Sequence, residues 1–137
     1  MTDPIPPVSR FKSVPGWRRL AAAFRYSWQG LRAAWRYEAA FRQELLLAVV
    51  LVPAAFWLAR TPLEMIVLLL PVAAVLVVEL LNSAIEAVAD ALSAEYHVLL
   101  GRAKDLGSAA VWLCLAVLFA VWLVVAVQRW LGAAPLS

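Results

Sequence analysis

Glu79, Asn82, Glu86 and Asp90 recur along one short stretch of the chain, with Ser83 among them. At about 100° per residue of an α-helix these positions fall on one narrow stripe. The segment that precedes the stripe is uncharged from 65 to 78, so the carboxylates sit on a helix that is otherwise greasy. Such groups cannot face lipid, where a charge near the bilayer centre costs several kcal/mol. They must face other protein or a water-filled groove. A polar seam between helices would use one such acid. Three acids with no basic residue in the same segment call for a cation instead, and oxygen-only ligands suit Mg²⁺ better than zinc or copper.

A second group of polar residues follows: Glu95, Tyr96 and His97, then Gly101-Arg102-Ala103-Lys104-Asp105-Leu106-Gly107-Ser108. Read as a connection between two helices, it offers Lys104 for neutralising phosphate oxygens and Asp105 as a helix cap or an aid to a metal. Lys104 serves equally as a membrane-surface anchor, and the residues alone leave those two readings even. His97 is the sole histidine and Cys114 the sole cysteine, which excludes an intrachain disulfide, a His-rich metal site and a Ser-His-Asp triad. Neither a Walker phosphate loop nor a G-x-G-x-x-G fingerprint is present.

The elements that must hold these residues are membrane helices. Of 137 residues 65% are hydrophobic and only 15% charged, too few charges to cover a soluble globule. Stretches 45–59, 65–78 and 106–128 carry no Asp, Glu, Lys or Arg. The last is long enough for a hydrocarbon core of about 30 Å at 1.5 Å per residue. The first two are shorter and must recruit flanking residues. Three transmembrane helices are therefore expected, roughly 42–60, 62–91 and 105–130. Before them, residues 1–16 hold four of the eight prolines and should form an extended, mobile tail. From about 17 to 38, arginines interleave with Trp17, Phe24, Trp28, Leu31 and Trp35 at helical spacing, the pattern of an amphipathic helix in the membrane interface. The fold class is thus an all-α membrane protein, with three spans preceded by an interfacial helix, forming one membrane-embedded domain over 17–137.

Arg10, Lys12, Arg18, Arg19, Arg25, Arg32, Arg36 and Arg42 precede the first span, whereas its connection to the second holds only Arg60. That excess puts the N-terminus and the acidic stripe's end of span two in the cytoplasm, with the C-terminus outside. Three spans of one chain are not expected to enclose the stripe on all sides. The interfacial helix, joined to span one without a loop, should reach little of its own span two. Cover from neighbouring subunits is the expectation.

Four blocks make the sequence similar to a known family. They are Tyr26-Ser27-Trp28-Gln29-Gly30-Leu31-Arg32-Ala33-Ala34-Trp35, then Glu38-Ala39-Ala40-Phe41-Arg42-Gln43-Glu44, then the run from Glu79-Leu80-Leu81-Asn82-Ser83-Ala84-Ile85-Glu86 to Asp90, and last Glu95-Tyr96-His97 with the 101–110 segment. Together they resemble the prokaryotic diacylglycerol kinases, small three-span membrane enzymes. The resemblance implies ATP-dependent phosphorylation of diacylglycerol to phosphatidic acid in the bacterial inner membrane, with Mg²⁺ and with active sites shared in a homotrimer. No nucleic-acid partner is implied. It further implies that Glu79 is the general base and Asn82 its helper, with Glu38 and Glu86 as metal ligands. Arg19, Tyr26, Glu38, Glu86, Glu95, His97, Lys104 and Asp105 would meet the nucleotide. Trp28, Arg32, Trp35, Ser108 and Trp122 would meet the lipid, as would Arg19 and Glu79. Relatives acting on undecaprenol are the alternative within this chemistry. From another class, a non-catalytic assembly subunit or a small proton pore would also use an acidic stripe, but a pore has no need of Lys104 and Asp105 beside it.

Overall fold

A computed structural model describes residues 16–92, 97–132 and 134–136. It contains four helices: α1 (Gly16–Tyr37), α2 (Ala39–Leu58), α3 (Pro62–Leu92) and α4 (Val98–Trp130). The last three are long and apolar enough to cross a membrane, as expected. Apart from Gly16, which opens α1, the expected tail lies outside the described residues, and so do Glu95 and Tyr96.

Two boundaries differ from the expectation. The first span starts at Ala39 rather than 42, because α1 and α2 are separated by Glu38 alone, in extended geometry at φ −101° and ψ 112°. Arg42 stabilises this elbow. Its guanidinium donates to the carbonyls of Trp35 (3.1 Å) and Arg36 (3.5 Å), placing a cation on the C-terminal end of α1. The third span's helix begins at Val98, not 105, so Gly101 to Ser108 is helical rather than a connection. His97 supplies the cap, its Nδ1 accepting the Leu99 amide at 3.3 Å. That leaves Val98, Leu99 and Leu100 free to extend the helix outward, and it removes the capping role considered for Asp105.

α4 packs principally against α3, α3 also against α2, and α1 meets the bundle lightly. Ala48, Val72, Val75 and Leu118 form one buried cluster between the three long helices. Ala55, Leu58, Leu68 and Val125 form a second nearer the α2–α3 turn. Trp122 packs on both clusters and donates its indole N–H to the Leu68 carbonyl at 3.1 Å. α2 and α3 continue through Pro53 and Pro71, each of which removes one backbone donor from its helix.

The turn at 59–61 is closed by a polar knot. Thr61 Oγ accepts the Glu64 amide at 3.1 Å, with Pro62 at the first helical position. Glu64, with no solvent exposure, accepts from the Arg60 amide at 2.7 Å and from its guanidinium at 3.0 Å. The C-terminal segment comes back to the same place: the Leu136 amide donates to Glu64 at 3.2 Å, and Thr61 Oγ donates to the Leu136 carbonyl at 2.8 Å. Every oxygen of the buried carboxylate thereby gains a partner, which a buried charge requires.

Candidate active site

The stripe on α3 is graded in burial. Glu79 is 3% exposed and Asn82 9%, Glu86 is half-buried, and Asp90 is exposed. A single helix therefore carries polar groups from the packed interior out to the surface in three turns. The partners that shelter the deep end belong to the same chain. A cleft of about 460 Å³ is lined by Glu38, Gln43 and Glu44 from the α1–α2 side. Glu79, Asn82 and Glu86 line it from α3, and Ser108, Val111, Trp112 and Leu115 from α4. One chain thus covers Glu79 and Asn82 by itself, while Glu86 stays half-buried and Asp90 exposed, so the stripe is not enclosed on all sides. The first helix itself meets the bundle lightly, as expected, and only the residue that follows it reaches the stripe. With no loop at the elbow, Glu38 projects from the joint itself and lies in electrostatic range of Glu79.

Local chemistry follows from this packing. Asn82 Nδ2 donates to Glu86 Oε1 at 3.1 Å, so the carboxamide fixes one carboxylate one turn away. Asn82 Oδ1 is buried without a partner and points at Gly107 of α4. A β-carbon at 107 would overlap it, so glycine is what lets α3 and α4 close around the amide. Ser83 Oγ is a second buried polar atom without a partner. Lys104 reaches from α4 to α3, its Nζ 3.0 Å from Asp90 Oδ1.

Of the residues singled out in the sequence, Glu38, Glu79, Asn82, Glu86 and Ser108 converge on the cleft. Lys104 stands at its outer end through Asp90, and Asp105 is exposed beyond the lining. His97 caps α4, and Glu95 lies outside the described residues. The exposed α1 side chains do not line the cleft. α1 presents Ser27, Leu31 and Ala34, with Glu38 of the elbow, to an apolar-walled gap of about 720 Å³ against Leu80, Ser83, Ala84 and Ala87 of α3. At about 100° per residue, Trp28, Arg32 and Trp35 lie on one flank of that face and Arg19 and Tyr26 on the other. Trp122 lines a separate apolar groove with Leu47, Leu51, Leu118 and Phe119, and Leu115 stands between this groove and the cleft, lining both.

Sequence reasoning left Glu44 and Gly107 without a role. Glu44 is a fourth carboxylate of the cleft, in electrostatic range of Glu79, with Oε2 buried and unpartnered. The available signal was an acid heading an otherwise uncharged span.

Among the described residues no three Asp, Glu, His or Cys side chains converge tightly enough to cage a metal ion. That suits Mg²⁺ carried by a nucleotide, which takes one or two carboxylates and completes its shell with phosphates and water. Glu38 and Glu86, two carboxylates that line one cleft from different elements, fit that requirement.

Known proteins are similar to this chain along most of its length. The family described as prokaryotic diacylglycerol kinase matches residues 25–126. The chain is similar to the diacylglycerol kinase of Escherichia coli strain K12, 50% identical over 107 residues covering 78% of this chain and 88% of the relative. It is also similar to the diacylglycerol kinase of Pseudomonas aeruginosa, 47% identical over 114 residues covering 83% and 93%. That of Haemophilus influenzae is 45% identical over 107 residues covering 78% and 91%. With three spanning helices, an acidic cleft at their junction with α1, and this match along most of its length, the chain belongs to the prokaryotic diacylglycerol kinase family.

Proposed function

We propose that the chain transfers the γ-phosphoryl group of ATP to the free hydroxyl of diacylglycerol, giving phosphatidic acid and ADP. The observation that carries this reading is the buried Glu79 in a cleft shared with Glu38, Asn82 and Glu86. Phosphoryl transfer asks a protein for positioning and charge neutralisation rather than covalent chemistry. Glu79 accepts the hydroxyl proton as the oxygen bonds to phosphorus and the bond to the ADP oxygen breaks. Asn82 holds Glu86 in place and lies beside the base. Glu38 and Glu86 would hold Mg²⁺, which when bound neutralises phosphate charge. Lys104 adds a cation at the outer end of the cleft, with Asp105, His97, Glu95, Arg19 and Tyr26 on the nucleotide side. Trp28, Arg32, Trp35, Ser108 and Trp122 belong to the lipid side, where the groove beyond Leu115 offers apolar chains a path away from the cleft.

The chain works in the bacterial membrane with its N-terminus and cleft mouth cytoplasmic, because its basic residues concentrate before α2. It acts as a homotrimer with shared sites. Supporting this, Arg19 and Tyr26 on one flank of α1 and Trp28, Arg32 and Trp35 on the other do not line their own chain's cleft and are free to serve a neighbour's. The names of the relatives favour diacylglycerol over undecaprenol, and family membership disfavours a pore or a non-catalytic subunit.

The test uses purified protein in mixed micelles with γ-labelled ATP and either lipid alcohol. Labelled phosphatidic acid that disappears on chelation of Mg²⁺ is expected. Label appearing only on undecaprenol, or on no lipid, overturns the reading.

A further inference from the structure

The Lys104–Asp90 ion pair joins α4 to α3 at the outer end of the acidic stripe, with an N–O distance of 3.0 Å. Its side chains are 39% and 70% exposed. Ion pairs this exposed add little to the stability of a fold, so packing gives no reason for this one. Its position is more informative. Asp90 is one helical turn beyond Glu86 on the same face of α3, and Glu86 is the next anion whose field Lys104 feels. No lysine or arginine is among the residues lining the cleft, so a nucleotide arriving there finds its cation at this edge.

A lysine on a four-carbon stem otherwise samples many rotamers, and fixing it costs entropy at the moment of binding. A carboxylate that already holds the ammonium removes much of that cost beforehand. Lysine has three donors. The bond to Asp90 uses one and leaves two for phosphate oxygens.

We propose that Asp90 is a positioning residue for the nucleotide: it holds Lys104 at the mouth of the cleft, one turn from Glu86, where the ammonium meets the phosphates of Mg·ATP. This rests on the nucleotide role proposed for Lys104. Asp90 itself touches no substrate. Its carboxylate acts through the lysine.

Steady-state kinetics in mixed micelles, varying ATP and diacylglycerol separately, test it with Asp90→Asn, Asp90→Glu, Lys104→Met and the Asp90→Asn/Lys104→Met double variant. Asp90→Asn should raise the KM for ATP roughly 3- to 10-fold, with kcat falling less than KM rises and the KM for lipid staying within about two-fold. Asp90→Glu should recover most of the difference. Lys104→Met should raise the KM for ATP further, and adding Asp90→Asn to it should change little, since the two act as one unit. If Lys104→Met raises the KM for ATP but Asp90→Asn does not, or if the two effects multiply, positioning by Asp90 is wrong and the lysine's role stands. If Lys104→Met leaves the KM for ATP unchanged, the nucleotide role of Lys104 fails first and the inference with it. A fall in every kinetic parameter together with a lowered melting temperature, in both Asp90 variants, would make the pair structural and overturn the proposal.

Discussion

Asn82 and Gly107 face each other across the α3–α4 contact so closely that no β-carbon fits at position 107. The carboxamide that meets the glycine with its oxygen holds Glu86 with its nitrogen, at 3.1 Å. Packing of two helices and placement of a carboxylate are therefore one arrangement. Gly107→Ala should push the amide aside and break that bond. A hydrogen bond to a charged group is worth about 1.5–3 kcal/mol, so turnover should drop by roughly 10- to 100-fold. Circular dichroism should show unchanged helix content, which separates a displaced amide from a lost fold.

Glu79→Gln preserves shape in the buried end of the cleft while removing the proton acceptor. A positioned general base contributes at least about 100-fold, and kcat should fall by that much. The KM for ATP should hardly move. Turnover close to that of the unaltered chain would remove Glu79 from the role of base.

Glu38→Ala and Glu86→Ala each delete one of two carboxylates that line the cleft from different elements. Each variant should need several-fold more Mg²⁺ for half-maximal activity, a magnitude on the order of one lost oxygen ligand among several. A Mg²⁺ titration at fixed ATP measures this. The variant that keeps the original titration curve does not alter a metal ligand.

At the other end of the bundle, removal of residues 134–137 should take away the Leu136 contacts with Thr61 and Glu64. Glu64 would then lose a donor in a site without solvent exposure. A lower melting temperature in detergent is expected, with activity per folded molecule retained, because the knot lies far along α3 from the cleft. Glu64→Leu should lower it further by stripping Arg60 of its ion pair. Unchanged melting of both variants would show that the C-terminal segment is not held there.

The number of spans was legible in the sequence because lipid tolerates so few charges that their absence from 45–59, 65–78 and 106–128 marks the helices directly. Glu79, Asn82 and Glu86 were legible for the complementary reason, as polar groups set against that background. The start of α4 was not. Gly101 and the Arg-Ala-Lys-Asp run have the polarity of a loop, and only the His97 cap, a contact between side chain and backbone, reveals the helix. The cover that one chain gives Glu79 and Asn82 was also hidden, since it depends on how closely α4 approaches at Gly107 and where the α1–α2 elbow falls. The knot at Glu64 joins residues more than seventy positions apart, a pairing that no local pattern encodes.

The elbow at Glu38 has a mechanical side. The 22 residues of α1 make a rigid arm about 33 Å long at 1.5 Å per residue, and the elbow is its fulcrum. Tilting such an arm by about 10° would carry Trp17 at the far tip some 6 Å through the headgroup layer at that length. The fulcrum itself would scarcely translate. A change in tilt would thus be felt at the tip among the lipid headgroups and hardly at all at Glu38, the carboxylate beside the cleft.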